Sequence, residues 1–142
     1  MDRQQFKGWL DRYVEAWTTY DADKIGALFS EDAVYRYSPQ ETDGLRGRAA
    51  IVADWLANPD TAGTYDAQYE PLAIDGDVHV AHGSTQYFDA DHNLRDEYYN
   101  VYVCRFDRAG QCTDFTEYWM QNNDFRKRAR DELVRRAKAG EI

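Results

Sequence analysis

The stretch "LRDEYYNVYVCRFDRAGQCTDFTEYWM", Leu94 to Met120, decides the fold. Two runs rich in Tyr, Val, Phe and Trp flank a turn at Asp107 to Gly110. Such runs read as antiparallel strands joined in a hairpin, because successive strand side chains point to opposite faces. One face of the second run then carries Thr113, Phe115, Glu117 and Trp119. A carboxylate between Phe115 and Trp119 is costly to bury unless it is paired or put to use. The facing side of the first run carries Asp96, Tyr98, Asn100, Tyr102 and Cys104.

Working outward, "TYDAQYEPLAI" and "VHVAHGSTQYF" form two further strands, with turns at Asp75-Gly76 and at Asp89 to Asn93. Asp, Asn and Gly tolerate the backbone angles that these turns need. Taking Val78 and Val80 as inward-facing, the second of these strands presents His82, Ser84 and Gln86 to the same side. Upstream, residues 2 to 20 read as a helix with an Asp2/Gln5 capping box and a face of Phe6, Leu10, Tyr13, Val14 and Trp17. Asp21 caps a short helix with Ile25, Leu28 and Phe29 inside, and "AVYRYS" (33–38) is a short strand. "RAAIVADWLAN" is a third helix, with Ile51, Val52, Trp55 and Leu56 on its face, ended by Asn58-Pro59. Residues 123 to 138 read as a last helix with Phe125, Ala129 and Leu133 on one stripe. The expectation is an α+β domain over residues 1–121, three helices against a curved antiparallel sheet, followed by a basic helix in 122–142.

The bulk numbers fit one domain with one core: 142 residues, 43% hydrophobic and 30% charged. The aromatic share, 11 Tyr, 6 Phe and 4 Trp, is enough to fill a core and line a pocket. A net charge of -9 disfavours nucleic acid and anionic membranes as partners. From Asn122 onward seven basic and four acidic residues give +3, a solvated basic helix surface. Cys104 and Cys112 lack a metal-ligand pattern and are placed on neighbouring strands with opposite facing, so neither a metal nor a disulfide is expected. No apolar signal core or membrane-length stretch is present, and a cytoplasmic protein with reduced thiols is expected.

The blocks "RYVEAWTTYDADKIGALFSEDAVYRYSP", "GLRGRAAIVADWL" and "YNVYVCRFDRAGQCTDFTEYWM" resemble the SnoaL-like branch of the nuclear transport factor 2-like superfamily, over about residues 6 to 120. The resemblance implies a cone-shaped fold with a pocket between helices and sheet, and a homodimer through the outer sheet face. Outward Tyr99, Val101, Val103 and Tyr118 would supply that face. The superfamily includes ketosteroid isomerases, polyketide cyclases, limonene epoxide hydrolases and dehydratases, along with members that only bind or assemble, so function is argued from the site.

The resemblance carries over unevenly. Tyr13 matches the helix-one tyrosine of the isomerases, but their aspartate base falls on Tyr37 or Ser38 and their acidic donor on Tyr102. Tyr35 matches the tyrosine of the epoxide hydrolases and Glu117 one of their aspartates, with Tyr37 in place of their asparagine; their arginine falls on His82 and their other aspartate on Ser84. Glu117 also falls where the cyclases keep a carboxylate. The expected catalytic group is therefore Glu117 with His82 and Asn100. Tyr13, Trp17, Tyr35, Tyr37, Trp55, Asp96, Tyr98, Tyr102, Phe115 and Trp119 are the expected ligand contacts. The reaction would be cofactor-independent acid–base chemistry on a small apolar or cyclic molecule. Two readings stay open against it: Glu117 pairs with Arg46, Arg48 or Arg95, and the cone serves as a non-catalytic binding or assembly module.

Overall fold

The computed structural model describes residues 1–122 and 124–142, with the side chains of 124–126 excepted. The described residues form helices α1 (Arg3–Thr19), α2 (Ala22–Ala27), α3 (Arg48–Ala57) and α4 (Asp124–Lys138). The strands are β1 (Phe29–Arg36), β2 (Leu45–Arg46), β3 (Tyr65–Asp75), β4 (Val78–Phe88), β5 (Leu94–Phe106) and β6 (Cys112–Gln121). They make one curved sheet in the order β2-β1-β6-β5-β4-β3. Strands β3 to β6 are the expected meander, and β1 joins β6 in parallel. Pro71 sits in β3, the edge strand, where its missing N–H costs no ladder bond on the open side.

Local chemistry explains the helix ends. Asp2 and Gln5 exchange hydrogen bonds of 2.8 Å through side chain and backbone. Asp21 accepts from the Asp23 and Lys24 amides at 2.9 and 3.1 Å. α1 stops at Tyr20, whose φ of 49° is left-handed. α1 buries Phe6, Trp9, Leu10, Tyr13 and Ala16 against the sheet. Helix and sheet interlock through rings: Phe115 stacks on Tyr35 at 4.6 Å and on Tyr13 at 5.4 Å.

Several expectations shift. The "AVYRYS" strand begins four residues earlier, at Phe29, because Leu28 closes α2 and its carbonyl accepts from the Cys112 amide at 2.8 Å. Leu45–Arg46, expected as loop, pairs with Val34 and Tyr35 as β2. Phe115 is inside as expected, but the β5–β6 register shifts between Arg105 and Phe106 and puts Cys112 into the core in place of Thr113. The same shift places Cys104 and Cys112 on one face rather than two, both buried and both free thiols. Burial and the neighbouring Cys112 thiol push the Cys104 thiol up. Phe125 of the expected α4 stripe lies outside the described side chains; Leu133 and Val134 of α4 are exposed.

β4 is inverted relative to expectation. Ala81 pairs with Tyr102 and Gly83 with Asn100, so residues of odd number face the core and His82 faces out beside Val101. The small side chains are inside because Tyr69 and Tyr102, stacked at 4.3 Å, take the space. A Cβ on Gly83 would overlap the Gln68 carbonyl and crowd the Tyr69 ring. Gly83→Ala is therefore expected to destabilise the protein by about 2 kcal/mol, read as a lower urea midpoint with an unchanged slope.

Candidate functional site

A cavity of about 350 Å³ opens between α1, α3 and the concave face of the sheet. Its floor is β5 and β6. Tyr102 and Glu117 are directly opposite in the ladder, and so are Asn100 and Trp119. Opposed residues share a face with their Cβ atoms about 5 Å apart. Tyr13 from α1, Tyr35 at the end of β1 and Trp55 from α3 close the other side. These positions follow from three periodicities: every second residue on β5 and β6, every fourth on α1, and one inward position on α3.

Glu117 is the carboxylate on the floor of the cavity. Among the described residues its carboxylate has no hydrogen-bond or ion-pair partner, so the expected pairing with Arg46, Arg48 or Arg95 is absent. Arg48 donates instead to the Phe29 carbonyl at 2.8 Å, and Arg95 pairs with Asp96 at 2.8 Å. With rings around it and no compensating cation, burial pushes the Glu117 carboxyl from its ordinary 4.5 up to about 7.

The hydroxyls around it stay protonated. Burial raises Tyr13, Tyr35 and Tyr102 well above the ordinary tyrosine value of 10.0. The Tyr13 and Tyr35 hydroxyls are 2.7 Å apart. One donates to the other, which leaves a single O–H of the pair free for a ligand. Asn100 donates through Nδ2 to the Tyr69 hydroxyl at 2.5 Å, and that hydroxyl bonds Thr85 at 2.8 Å. Asn100 is 5% exposed and its Oδ1 has no partner.

Most of the expected ligand contacts do line the cavity: Tyr13, Trp17, Tyr35, Tyr37, Trp55, Tyr98, Tyr102 and Trp119, together with Glu117 and Asn100. Three expected residues do not. His82 is exposed on the outer face, a consequence of the β4 register. Asp96 is at the rim, where it holds Arg95 and accepts from Gln121 at 3.0 Å. Phe115 is fully buried behind the wall, as the plate on which Tyr35 stacks. Sequence reasoning missed Thr85 and Tyr87, which the inverted β4 brings in, and Tyr20, Asn58 and Asp60 at the mouth. Asn58 and Asp60 flank Pro59 after α3, and no periodic pattern marks such a turn as pocket wall.

The family profile for SnoaL-like domains matches residues 10–115. The chain belongs to the SnoaL-like domain family. Its fold is that of solved nuclear transport factor 2-like proteins. One is a protein of unknown function from Burkholderia xenovorans, with a TM-score of 0.62 and 18% identity over 88% of this chain and 92% of that one. A second, provisionally described as a ketosteroid isomerase, is from Kribbella flavida, with a TM-score of 0.62 and 21% identity over 86% and 82%. A third, of unknown function, is from Mesorhizobium loti, with a TM-score of 0.56 and 25% identity over 84% and 95%. No curated protein matches the chain. Among the described residues no helix is long and apolar enough to cross a membrane.

The raised carboxyl has a signed consequence for stability. The folded protein binds a proton at Glu117 that the unfolded chain has already lost between about pH 4.5 and 7. This contribution is fully present below pH 4.5 and disappears as pH rises through about 7. Unfolding at a series of pH values should show Glu117→Gln gaining on the parent across that window, reaching about 3 kcal/mol by pH 8. A parent protein that gains stability relative to the variant over the same range would contradict the desolvated carboxylate.

Proposed function

We propose that this SnoaL-like protein is a cofactor-independent acid–base enzyme acting on a small apolar or cyclic molecule. Its reaction would be of the isomerase, cyclase, dehydratase or hydrolase type. The observation that carries this is the unpaired Glu117 carboxyl in an aromatic cavity, with a pKa of about 7. Such a group is half ionised near neutral pH, so it can take a proton from one atom and return it to another. The free O–H of the Tyr13/Tyr35 pair would donate to the oxygen on which charge develops. Asn100, a lining residue opposite Trp119, would help to orient the ligand.

A second reading, a non-catalytic binding module, draws support from the outward His82. It leaves no His/Glu pair to activate a water, and Glu117 would act alone. The two readings differ in outcome. Cyclic ketones, epoxides and polyketide mimics should be screened by mass spectrometry for conversion. In the enzyme reading Glu117→Gln lowers kcat by at least about 100-fold while KM changes little. Ligand-dependent stabilisation with no product in any case would leave the binding module.

The outer sheet face adds an assembly proposal. Tyr99 and Tyr118 are 48% and 47% exposed, and Val101 and Val103 lie between them as half-buried neighbours. We infer a homodimer that covers this face, in a cytoplasmic protein whose cysteines are thiols. Sedimentation should give the dimer mass, and Val101→Arg should shift it to the monomer. A parent chain that stays monomeric at high concentration would count against the interface.

A further inference from the structure

The cavity walls carry a charge pattern that Glu117 alone does not explain. Two carboxylates line the cavity, Glu117 on the floor and Asp60 at the mouth. Among the described residues no Lys, Arg or His lines it. The rest of the lining is almost wholly π surface. Lys127 and Arg130 of α4 border a separate depression that shares only Trp119 with this one. Arg95 sits against one of the lining rings. It lies 5.9 Å over the Tyr87 ring, outside the cavity and tied to Asp96.

Asp60 is held in place rather than loose. The Trp17 indole N–H donates to its Oδ2 at 2.9 Å. Its own backbone N–H donates to the Tyr20 hydroxyl at 2.8 Å. Trp17 in turn stacks on Tyr65 at 4.9 Å, and the Tyr65 hydroxyl donates to the Trp17 carbonyl at 2.7 Å. Asp60 thus sits between the Trp17 indole and the Tyr20 hydroxyl, and Trp17, Tyr20 and Tyr87 line the cavity with it. Burial pushes the Tyr20 and Tyr87 hydroxyls up, with the Asp60 charge adding to both, so neither ring becomes an anion there.

We propose that the mouth is an ammonium subsite, and that the ligand of this cavity is a cyclic or aromatic amine. Its protonated nitrogen is held by Asp60 against the faces of Trp17 and Tyr87, with its ring directed to the aromatic floor. A cation over ring faces is attracted by their quadrupoles, more strongly when water is displaced. A carboxylate fixed by a donor that it does not have to find adds charge without an ordering cost. An anionic ligand would meet two carboxylates and no cation, and would be excluded. The inference rests on the cavity being the ligand site, as the proposed function does, but not on Glu117 moving a proton.

The test uses three probes with one ring and three charges: tryptamine (positive), 3-ethylindole (neutral) and indole-3-propionate (negative). Each is titrated into the full chain near neutral pH by calorimetry. Tryptamine should bind at least about tenfold tighter than 3-ethylindole, and indole-3-propionate should give no heat at millimolar concentration. Asp60→Asn should abolish most of that tenfold preference. Equal binding of the amine and the neutral probe to the parent chain overturns the ammonium subsite, yet keeps the cavity as a ligand site. Binding of the anion, or of none of the three, also overturns it. An amine preference that Asp60→Asn does not touch overturns the placement at Asp60. Conversion assays with Glu117→Gln fail or succeed separately, so the two proposals stand or fall apart.

Discussion

The stack of Tyr13, Phe115 and Tyr35 holds the molecule together at the end that carries the cavity. Phe115 is on β6, a central strand between β1 and β5, and its ring lies nearly parallel to both tyrosine rings, at interplanar angles of 15° and 9°. It fixes α1 to the sheet and sets the two hydroxyls 2.7 Å apart. Two residues further along β6, the same face brings Glu117 into the space that these rings border. The floor of the cavity is thus the continuation of the core. The strand that anchors the packing also carries the carboxylate, and a change in its register would displace both.

That arrangement opposes stability to chemistry. A carboxylate surrounded by rings loses hydration, and among the described residues nothing replaces it. Its proton affinity rises until ionisation and protonation balance near neutral pH. An arginine within reach would relieve the cost and remove the poise. Arg36 shows the alternative nearby: it pairs with Asp114 at 2.8 Å, three residues before Glu117 on the same strand but outside the core. The protein therefore pairs a β6 carboxylate where the strand faces water and leaves one unpaired where it faces the cavity. Asp60 is an intermediate case, a cavity carboxylate with one oxygen accepting from the Trp17 indole.

Much of this was legible in the sequence, because the relevant patterns are periodic. Alternation located β3 to β6 within a residue, and the Asp2/Gln5 and Asp21 caps were readable from their spacing. Glu117, Asn100, Tyr102 and Tyr13 follow from the same alternation and helical period. The failures come where hydrophobicity and facing part company. On β4 the valines at 78 and 80 look like core, yet they cover the outer face, while Ala81 and Gly83 go inside to make room for tyrosines. Only the partner strands carry that information, since Asn100 and Tyr102 decide the facing of the residues opposite them. The misplacement of His82 and of the cysteine pair has this form: both depend on a register, and the bulge near Thr113 leaves no mark in composition.

The mouth illustrates a different limit. Asp60 follows a helix-ending proline, a position whose ordinary reading is solvent. Its role is set by Trp17, 43 residues earlier, and by Tyr20, whose left-handed backbone ends α1 and turns its hydroxyl to the Asp60 amide. Neither partner can be paired with Asp60 from spacing, because the contact is made by two chain reversals meeting rather than by one element. Sequence periodicity thus specifies the floor of such a cone, where proton transfer would occur, and is silent about the rim, where loops would choose the ligand. Selectivity at the rim can then change through a few turn residues without disturbing the aromatic stack that holds Glu117 in place.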